Sequence, residues 1–119
     1  MSKVRNCAIL ALTIALTIVV ALGGAAQALS FNDISGKWCG SVSSYTFAPG
    51  QLTVVLYADN QPRRYKIENY QYEADIITVN WIRDTDKLFT KFGEFSSDDR
   101  LMVQQENDAG PRREFRRCS

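Results

Sequence analysis

The chain has 119 residues, with 14 basic and 13 acidic side chains and a net charge of +1. This near-neutral charge excludes the strongly basic surface that is typical of nucleic-acid-binding domains. Histidine is absent from the sequence, which excludes histidine-based catalytic triads and the H-E-x-x-H zinc site.

The N-terminal segment has the organisation of a secretory signal peptide. Lys3 and Arg5 precede an apolar run over residues 7–22, and small residues follow up to an A-x-A site that ends at Ala28. This order predicts cleavage after Ala28 and a secreted or periplasmic protein with no membrane association after cleavage. The alternative is a retained membrane anchor, because about 20 apolar residues can span a bilayer.

Cleavage would divide the chain into a signal peptide, residues 1–28, and a single domain, residues 29–119. The domain keeps 91 of the 119 residues and 12 of the 14 basic side chains, against 13 acidic ones. That length suits one domain and not two. Since a domain of this size buries only about 60–65% of its unfolded surface, a covalent cross-link would contribute strongly to its stability.

The domain sequence alternates β-prone segments with turn signals. The turn signals are D-N-Q-P, R-D-T-D, S-D-D-R and D-A-G-P, and they separate segments of strand length. The pattern predicts an all-β fold, either a small antiparallel up-and-down β-barrel of seven or eight strands or a β-sandwich. Seven segments are predicted as strands: G-K-W-C-G-S-V-S-S, 51–58, 64–74, 75–82, 87–96, 101–107 and 112–118. The strand count is eight if S-Y-T-F forms a further strand after the first, and seven if it does not.

Cys39 and Cys118 are the two cysteines that follow the signal peptide. An even count in an exported chain predicts a disulfide. Closure of a barrel would place the first and last strands side by side, so these cysteines meet if both side chains point outward. The cross-link would stabilise the domain by about 4.5 kcal/mol in the chain-entropy model.

Alternation of side chains along the strands predicts the interior. If Cys39 and Cys118 lie outside, Trp38 and Arg117 lie inside, where a guanidinium stacked on an indole gains about 0.5–2 kcal/mol. Arg113 and Arg116 are alternatives for this contact, and a solvated basic tail is the alternative to any contact. Because side chains can fill an eight-stranded barrel, we expect a largely filled interior. The predicted interior residues are Trp38, Val42, Leu52, Val54, Leu56, Ile77, Val79, Trp81, Leu101, Val103 and Phe115.

Gly36-x-Trp38 on the first strand, with Arg117 from the last strand across the tryptophan, resembles the pattern of the lipocalin and calycin group. Members of that group are small antiparallel barrels, so the resemblance implies this fold and a small apolar ligand. The chain is shorter than a typical lipocalin. In size it is similar to eight-stranded bacterial barrels that inhibit secreted metalloproteases, which implies inhibition of an exported hydrolase as a further alternative.

Charged side chains offer little catalytic chemistry. The pairs Asp84 with Asp86 and Asp98 with Asp99 lie between predicted strands, where aspartate bonds to turn backbone. They lack the spacing of a calcium loop, so we expect no metal, no cofactor and no enzymatic activity. The arginine pairs at 63–64, 112–113 and 116–117 allow a local anion site, or alternatively are solvated strand ends.

Tyr65, Tyr70 and Tyr72 lie on one long predicted strand and form the candidate binding surface. Tyr70 and Tyr72 share parity with Lys66 and Glu68, which predicts that they face outward unless a bulge intervenes. We therefore expect a non-catalytic exported protein that recognises another exported protein through the barrel surface. The alternatives are a binder of small apolar ligands and a hydrolase inhibitor, and nucleic acid is not an expected partner.

Overall fold

A computed structural model describes residues 28–107 and 112–119; the predicted signal peptide lies outside these residues except for Ala28. The described residues form one short helix and eight antiparallel strands that close into a barrel in the order β1 to β8. The predicted small up-and-down barrel is therefore confirmed, and S-Y-T-F belongs to a separate second strand. The elements are α1 (Phe31–Ile34), β1 (Gly36–Cys39), β2 (Ser43–Phe47), β3 (Gln51–Leu56), β4 (Pro62–Tyr72), β5 (Ile76–Arg83), β6 (Asp86–Gly93), β7 (Leu101–Asn107) and β8 (Arg113–Arg117).

One end of the barrel is covered by α1 and is called the closed end. Trp38 is completely buried there, and its indole Nε1 donates a hydrogen bond of 2.8 Å to the carbonyl of Ile34, the last residue of α1. At the opposite end, the open end, β3, β5 and β7 finish and β4, β6 and β8 begin. No helix in the described part of the chain is long and apolar enough to cross a bilayer.

The seam between β1 and β8 closes the barrel. Its register pairs Trp38 with Arg117 and Cys39 with Arg116. Cys39 and Cys118 form a disulfide across this seam, with their Cα atoms 5.8 Å apart. The predicted cross-link is confirmed, and it covalently joins the first strand to the residue that follows the last one.

The predicted inward parity of β7 is wrong. Met102 is completely buried and Gln104 is 2% exposed, whereas Leu101 and Val103 are only partly buried. The cause is the pairing with β8, in which Met102 lies opposite the buried Phe115. Cross-strand partners point to the same side of a sheet, so an inward Phe115 requires an inward Met102.

Val42 was also expected in the interior, and it is instead 47% exposed. Strand β1 ends at Cys39, and the amide of Gly40 bonds to the carbonyl of Ser43 at 2.8 Å. Residues 40–42 therefore form a turn at the open end. Strand alternation does not extend through a turn, so the parity of Trp38 gives no information about Val42.

The register of β4 shifts at a β-bulge between Ile67 and Asn69. After the shift, Tyr70 lies opposite Val79 and Tyr72 lies opposite Ile77, and both of these partners are buried. The bulge therefore turns the two tyrosines toward the inner side of the sheet, and the predicted outward orientation is wrong. One extra residue in a strand reverses the parity of every residue that follows it.

Candidate functional site

The open half of the barrel contains a cavity of about 360 Å³. The expectation of a largely filled interior is therefore wrong for this half. Trp38 fills the closed end, and Trp81 lies along the wall, where its Nε1 donates a hydrogen bond of 3.1 Å to the hydroxyl of Thr90. The Trp81 ring also packs edge-on against Tyr65, with 5.1 Å between the ring centres. Trp81 is thus held as part of the lining.

The floor of the cavity is apolar and aromatic. Phe47 at the end of β2, Leu52 at the start of β3 and Phe92 near the end of β6 line it at the side nearest the closed end. The rings of Phe47 and Phe92 meet edge-to-face at 5.3 Å, an arrangement that aromatic pairs prefer. The apolar wall is completed by Tyr45, Val54, Leu56, Tyr65, Val79 and Trp81.

Three arginines line the cavity at the open end and are called the arginine rim: Arg63, Arg83 and Arg113. Arg63 is the second residue of β4, Arg83 is the last of β5, and Arg113 is the first of β8. Alternate strands reverse direction, so all three positions lie at the same end of the barrel. The rim gives the apolar cavity a cationic mouth.

The three arginines of the rim differ in whether they form an ion pair. Arg63 forms an ion pair with Asp59 in the loop before β4, and the hydrogen bond from Arg63 lowers the pKa of that carboxyl. Of the described residues, no carboxylate lies within ion-pairing distance of Arg83 or Arg113. None of the described acidic residues lines the cavity. In the described chain, Arg83 and Arg113 therefore form no ion pair, although Asp86 lies opposite Arg83 across the β5–β6 hairpin.

Tyr45 is a polar group of the cavity wall that interacts electrostatically with Arg113. Burial raises the pKa of Tyr45, an effect that the positive charge of Arg113 opposes. Tyr45 also packs against Phe115, with 4.7 Å between the ring centres. The phenol is therefore neutral at physiological pH, and its hydroxyl can donate a hydrogen bond.

The structure separates the three predicted binding-surface tyrosines. Tyr65 lines the cavity. Tyr70 lies at the closed end, where its hydroxyl donates to the carbonyl of Ala48 at 2.6 Å and its ring packs edge-on against Phe31. Tyr72 stacks on Tyr70 and is 38% exposed. Tyr65 therefore belongs to a different site from the other two.

The residues of the sequence signature meet at the closed end. The guanidinium carbon of Arg117 lies 4.4 Å from the centre of the Trp38 ring, in the arrangement expected from parity. Gly36 has a φ of +94°, and a Cβ atom built there would lie 3.3 Å from Arg117 Nη1. Glycine, which has no Cβ, thus permits both the left-handed backbone and the close approach of the Arg117 guanidinium.

The paired aspartates serve turns and the closed end. The hydroxyl of Ser96 donates to Asp98 at 2.6 Å and lowers the pKa of that carboxyl, and Asp99 forms an ion pair of 2.9 Å with Arg117. Asp84, with a φ of +58°, lies in the two-residue connection between β5 and β6. Within residues 28–107 and 112–119, no group of three or more potential metal ligands is found.

From the sequence, Arg63 and Arg113 are candidates for a local anion site, whereas Arg83 was missed. A signal was present, because each of the three shares inward parity with an aromatic residue two positions away: Trp81 for Arg83, Tyr65 for Arg63 and Phe115 for Arg113. Only the alignment of strand ends around the barrel shows that they lie at one mouth.

In comparisons with protein-family models, with curated proteins and with solved structures, no match to this chain was found. Of the expected resemblance to the lipocalin and calycin group, the structure bears out only the small, closed antiparallel barrel, and no family match supports membership of that group.

Proposed function

We propose that this is an exported, non-catalytic binding protein that holds a small, partly apolar ligand in its cavity. The observation that carries the proposal is the cavity itself, with about 360 Å³ of space and an aromatic and aliphatic lining. Ligand sites in proteins span about 300–1,000 Å³ and combine apolar walls with a few polar groups. The cavity lies near the lower limit, which favours a ligand with a single chain or a single ring system.

The rest of the barrel supports a preformed site. The closed end is sealed by α1 and Trp38, and the disulfide fixes the seam between β1 and β8. A ligand therefore enters from the open end without rearrangement of the barrel. Burial of about 200 Å² of apolar ligand surface would contribute about 5 kcal/mol before the costs of association. The disulfide also supports export, since such bonds persist in oxidising compartments.

A titration with the neutral, apolar fluorophore N-phenyl-1-naphthylamine tests the proposal. We expect a saturable rise in fluorescence with one site per chain and a Kd in the micromolar range. Val54 lines the cavity, so Val54→Trp places an indole in the space that the ligand would occupy. This substitution should weaken binding at least about tenfold.

Thr53→Trp is the matched control, because Thr53 precedes Val54 on β3 and lies opposite the exposed Arg64, on the outer side of the sheet. It should leave the affinity unchanged. Absence of saturable binding by the folded wild-type protein, or an equal loss of affinity in the two variants, would contradict the proposal.

Recognition of an exported protein is a second proposal, with inhibition of a hydrolase as one form of it. The observation that favours it is the stacked pair of Tyr70 and Tyr72, in which Tyr72 is 38% exposed. Tyrosine is favoured at recognition surfaces because it offers a large area with a polar tip. Capture of one exported protein by the wild type and not by Tyr72→Ala would support this function, and equal capture by both would contradict it.

A further inference from the structure

We propose that the ligand is an amphipathic anion, whose charged head group binds Arg83 and Arg113 at the open end while its apolar part occupies the cavity. This inference rests on the proposed function and specifies its ligand class. It is carried by the arginine rim and by the distribution of charge around the cavity.

The first step is the position of the arginines along their strands. The inward-facing residue nearest the open end is Arg63 on β4, Arg83 on β5 and Arg113 on β8. Deeper inward positions on the same strands hold Tyr65, Trp81 and Phe115. The cavity therefore changes from apolar to cationic along its axis, which matches a molecule with an apolar body and an anionic end.

The second step is the charge balance at the mouth. Three guanidinium groups and no described carboxylate line the cavity, and the nearest carboxylates of the β5–β6 hairpin, Asp84 and Asp86, are not part of its lining. Asp59 neutralises Arg63, whereas Arg83 and Arg113 form no ion pair in the part of the chain that the structure describes. Like charges that converge on one opening repel one another, and an anion between them would remove that repulsion.

The third step is the chemistry of the donors. A guanidinium presents parallel N–H groups that match the two oxygens of a carboxylate or a sulfonate. Arg113 is half-buried, so its hydrogen bonds are less screened than those of the exposed Arg83. The neutral hydroxyl of Tyr45, which lines the same cavity near Arg113, supplies a further donor. Together these groups fit one anionic head group with two or three oxygens.

Two probes with one aromatic frame isolate the head group. They are 8-anilinonaphthalene-1-sulfonate, which carries a sulfonate, and N-phenyl-1-naphthylamine, which lacks it. We expect the wild-type, disulfide-bonded protein to bind the sulfonate at least about tenfold more tightly, because hydrogen bonds between charged groups are stronger than neutral ones. Decanoate should displace the bound sulfonate at lower concentration than 1-decanol does.

Substitution of the rim arginines identifies the binding groups. Arg113→Gln should weaken sulfonate binding about tenfold, and Arg83→Gln should weaken it less because Arg83 is exposed. The affinity for the neutral probe should fall less than that for the sulfonate in both variants, because the neutral probe forms no ion pair with a guanidinium. Arg116→Gln is the matched control on β8, since Arg116 is exposed and faces outward, and it should alter neither affinity.

The outcomes separate the two proposals. Equal affinities of the wild type for the two probes, with no effect of the rim substitutions, would overturn the anionic head group and leave the binding of apolar ligands standing. Failure of both probes to bind the folded protein would overturn the proposed function as well. A loss of sulfonate binding in Arg116→Gln equal to that in Arg113→Gln would place the anion on the outer surface and would also overturn the inference.

Discussion

Arg117, from the last strand, lies over Trp38, from the first, with 4.4 Å between the guanidinium carbon and the centre of the ring. The same guanidinium donates hydrogen bonds to the main-chain carbonyls of Ser35 and Asp33 and forms an ion pair with Asp99. One side chain therefore joins the helix, the seam of the barrel and the loop before β7. These contacts hold the closed end together.

Replacement of Arg117 by alanine should lower the free energy of unfolding by about 2–4 kcal/mol. The loss combines the cation–π contact with charged hydrogen bonds to two carbonyls of the helical segment. Urea unfolding, followed by tryptophan fluorescence, measures it. The fluorescence of the folded protein should also change, because Trp38 loses its nearest cation.

Arg116→Ala is the control for this substitution. Arg116 is exposed and pairs with Glu114 at the surface, where an ion pair contributes about 0–1 kcal/mol. Its removal should leave the free energy of unfolding nearly unchanged. Equal and small effects of the two substitutions would show that Arg117 is solvated rather than stacked on Trp38.

Gly36→Ala should destabilise the protein by about 1–2 kcal/mol. Its φ of +94° lies in a region that disfavours side chains, and the new Cβ would approach Arg117 Nη1 to 3.3 Å. Gly50→Ala is the control, because a Cβ at that position meets no atom within 4 Å in the described structure. Thermal unfolding of the two variants should differ, and identical midpoints would contradict this role of Gly36.

Part of this architecture could be predicted from the sequence because it follows from local rules. Turn signals between β-prone segments indicate an antiparallel meander, and closure of such a meander brings Cys39 near Cys118. Two outward cysteines then fix the parity of the end strands, which places Trp38 and Arg117 inside. These inferences need only the alternation of side chains and the chain order.

The remaining features depend on pairing between strands, which no single strand encodes. The bulge after Ile67 reverses Tyr70 and Tyr72, and nothing in the local pattern locates it. The inward face of β7 is set by Met102 opposite Phe115 across the sheet. Trp81 lines the cavity wall and donates a hydrogen bond to Thr90 on the neighbouring strand, a contact that no single strand encodes.

The parity of β7 can be tested with two adjacent truncations. Met102→Ala should cost about 2–5 kcal/mol, because it leaves a void next to Phe115 in a fully buried part of the core. Val103→Ala, on the outer side of the same strand, should cost less than about 1 kcal/mol. A larger cost for Val103→Ala, measured by urea unfolding, would contradict the register between β7 and β8.

The double substitution Cys39→Ser and Cys118→Ser removes the disulfide. It should lower the free energy of unfolding by about 2–4.5 kcal/mol. The bond restricts an unfolded chain in which its ends are separated by 79 residues. Calorimetry of the oxidised and substituted proteins gives the difference. Mass spectrometry of the wild-type protein before and after reduction provides the control, and two free thiols in the oxidised protein would contradict the seam described here.

Stability should fall at alkaline pH. Burial raises the pKa values of Tyr45 and Tyr70 above their ordinary value of about 10, so the unfolded chain loses these protons first. Their contribution is fully present below about pH 10 and is lost as the pH rises through the raised native values. The stability advantage of the wild type over Tyr70→Phe should therefore shrink between pH 9 and pH 11. The exposed Tyr57→Phe serves as control, and an advantage over Tyr70→Phe that stays constant to pH 11 would contradict this account.

Titration of the isotopically labelled, disulfide-bonded protein with decanoate, followed by amide NMR shifts, tests the central claim most directly. Binding in the cavity predicts saturable shifts at Tyr65, Val79, Thr90 and Arg113, with the closed end around Gly36 unchanged. Shifts that do not saturate, or that are confined to outward positions such as Thr53, would contradict the claim that this barrel holds a small amphipathic anion in its open half.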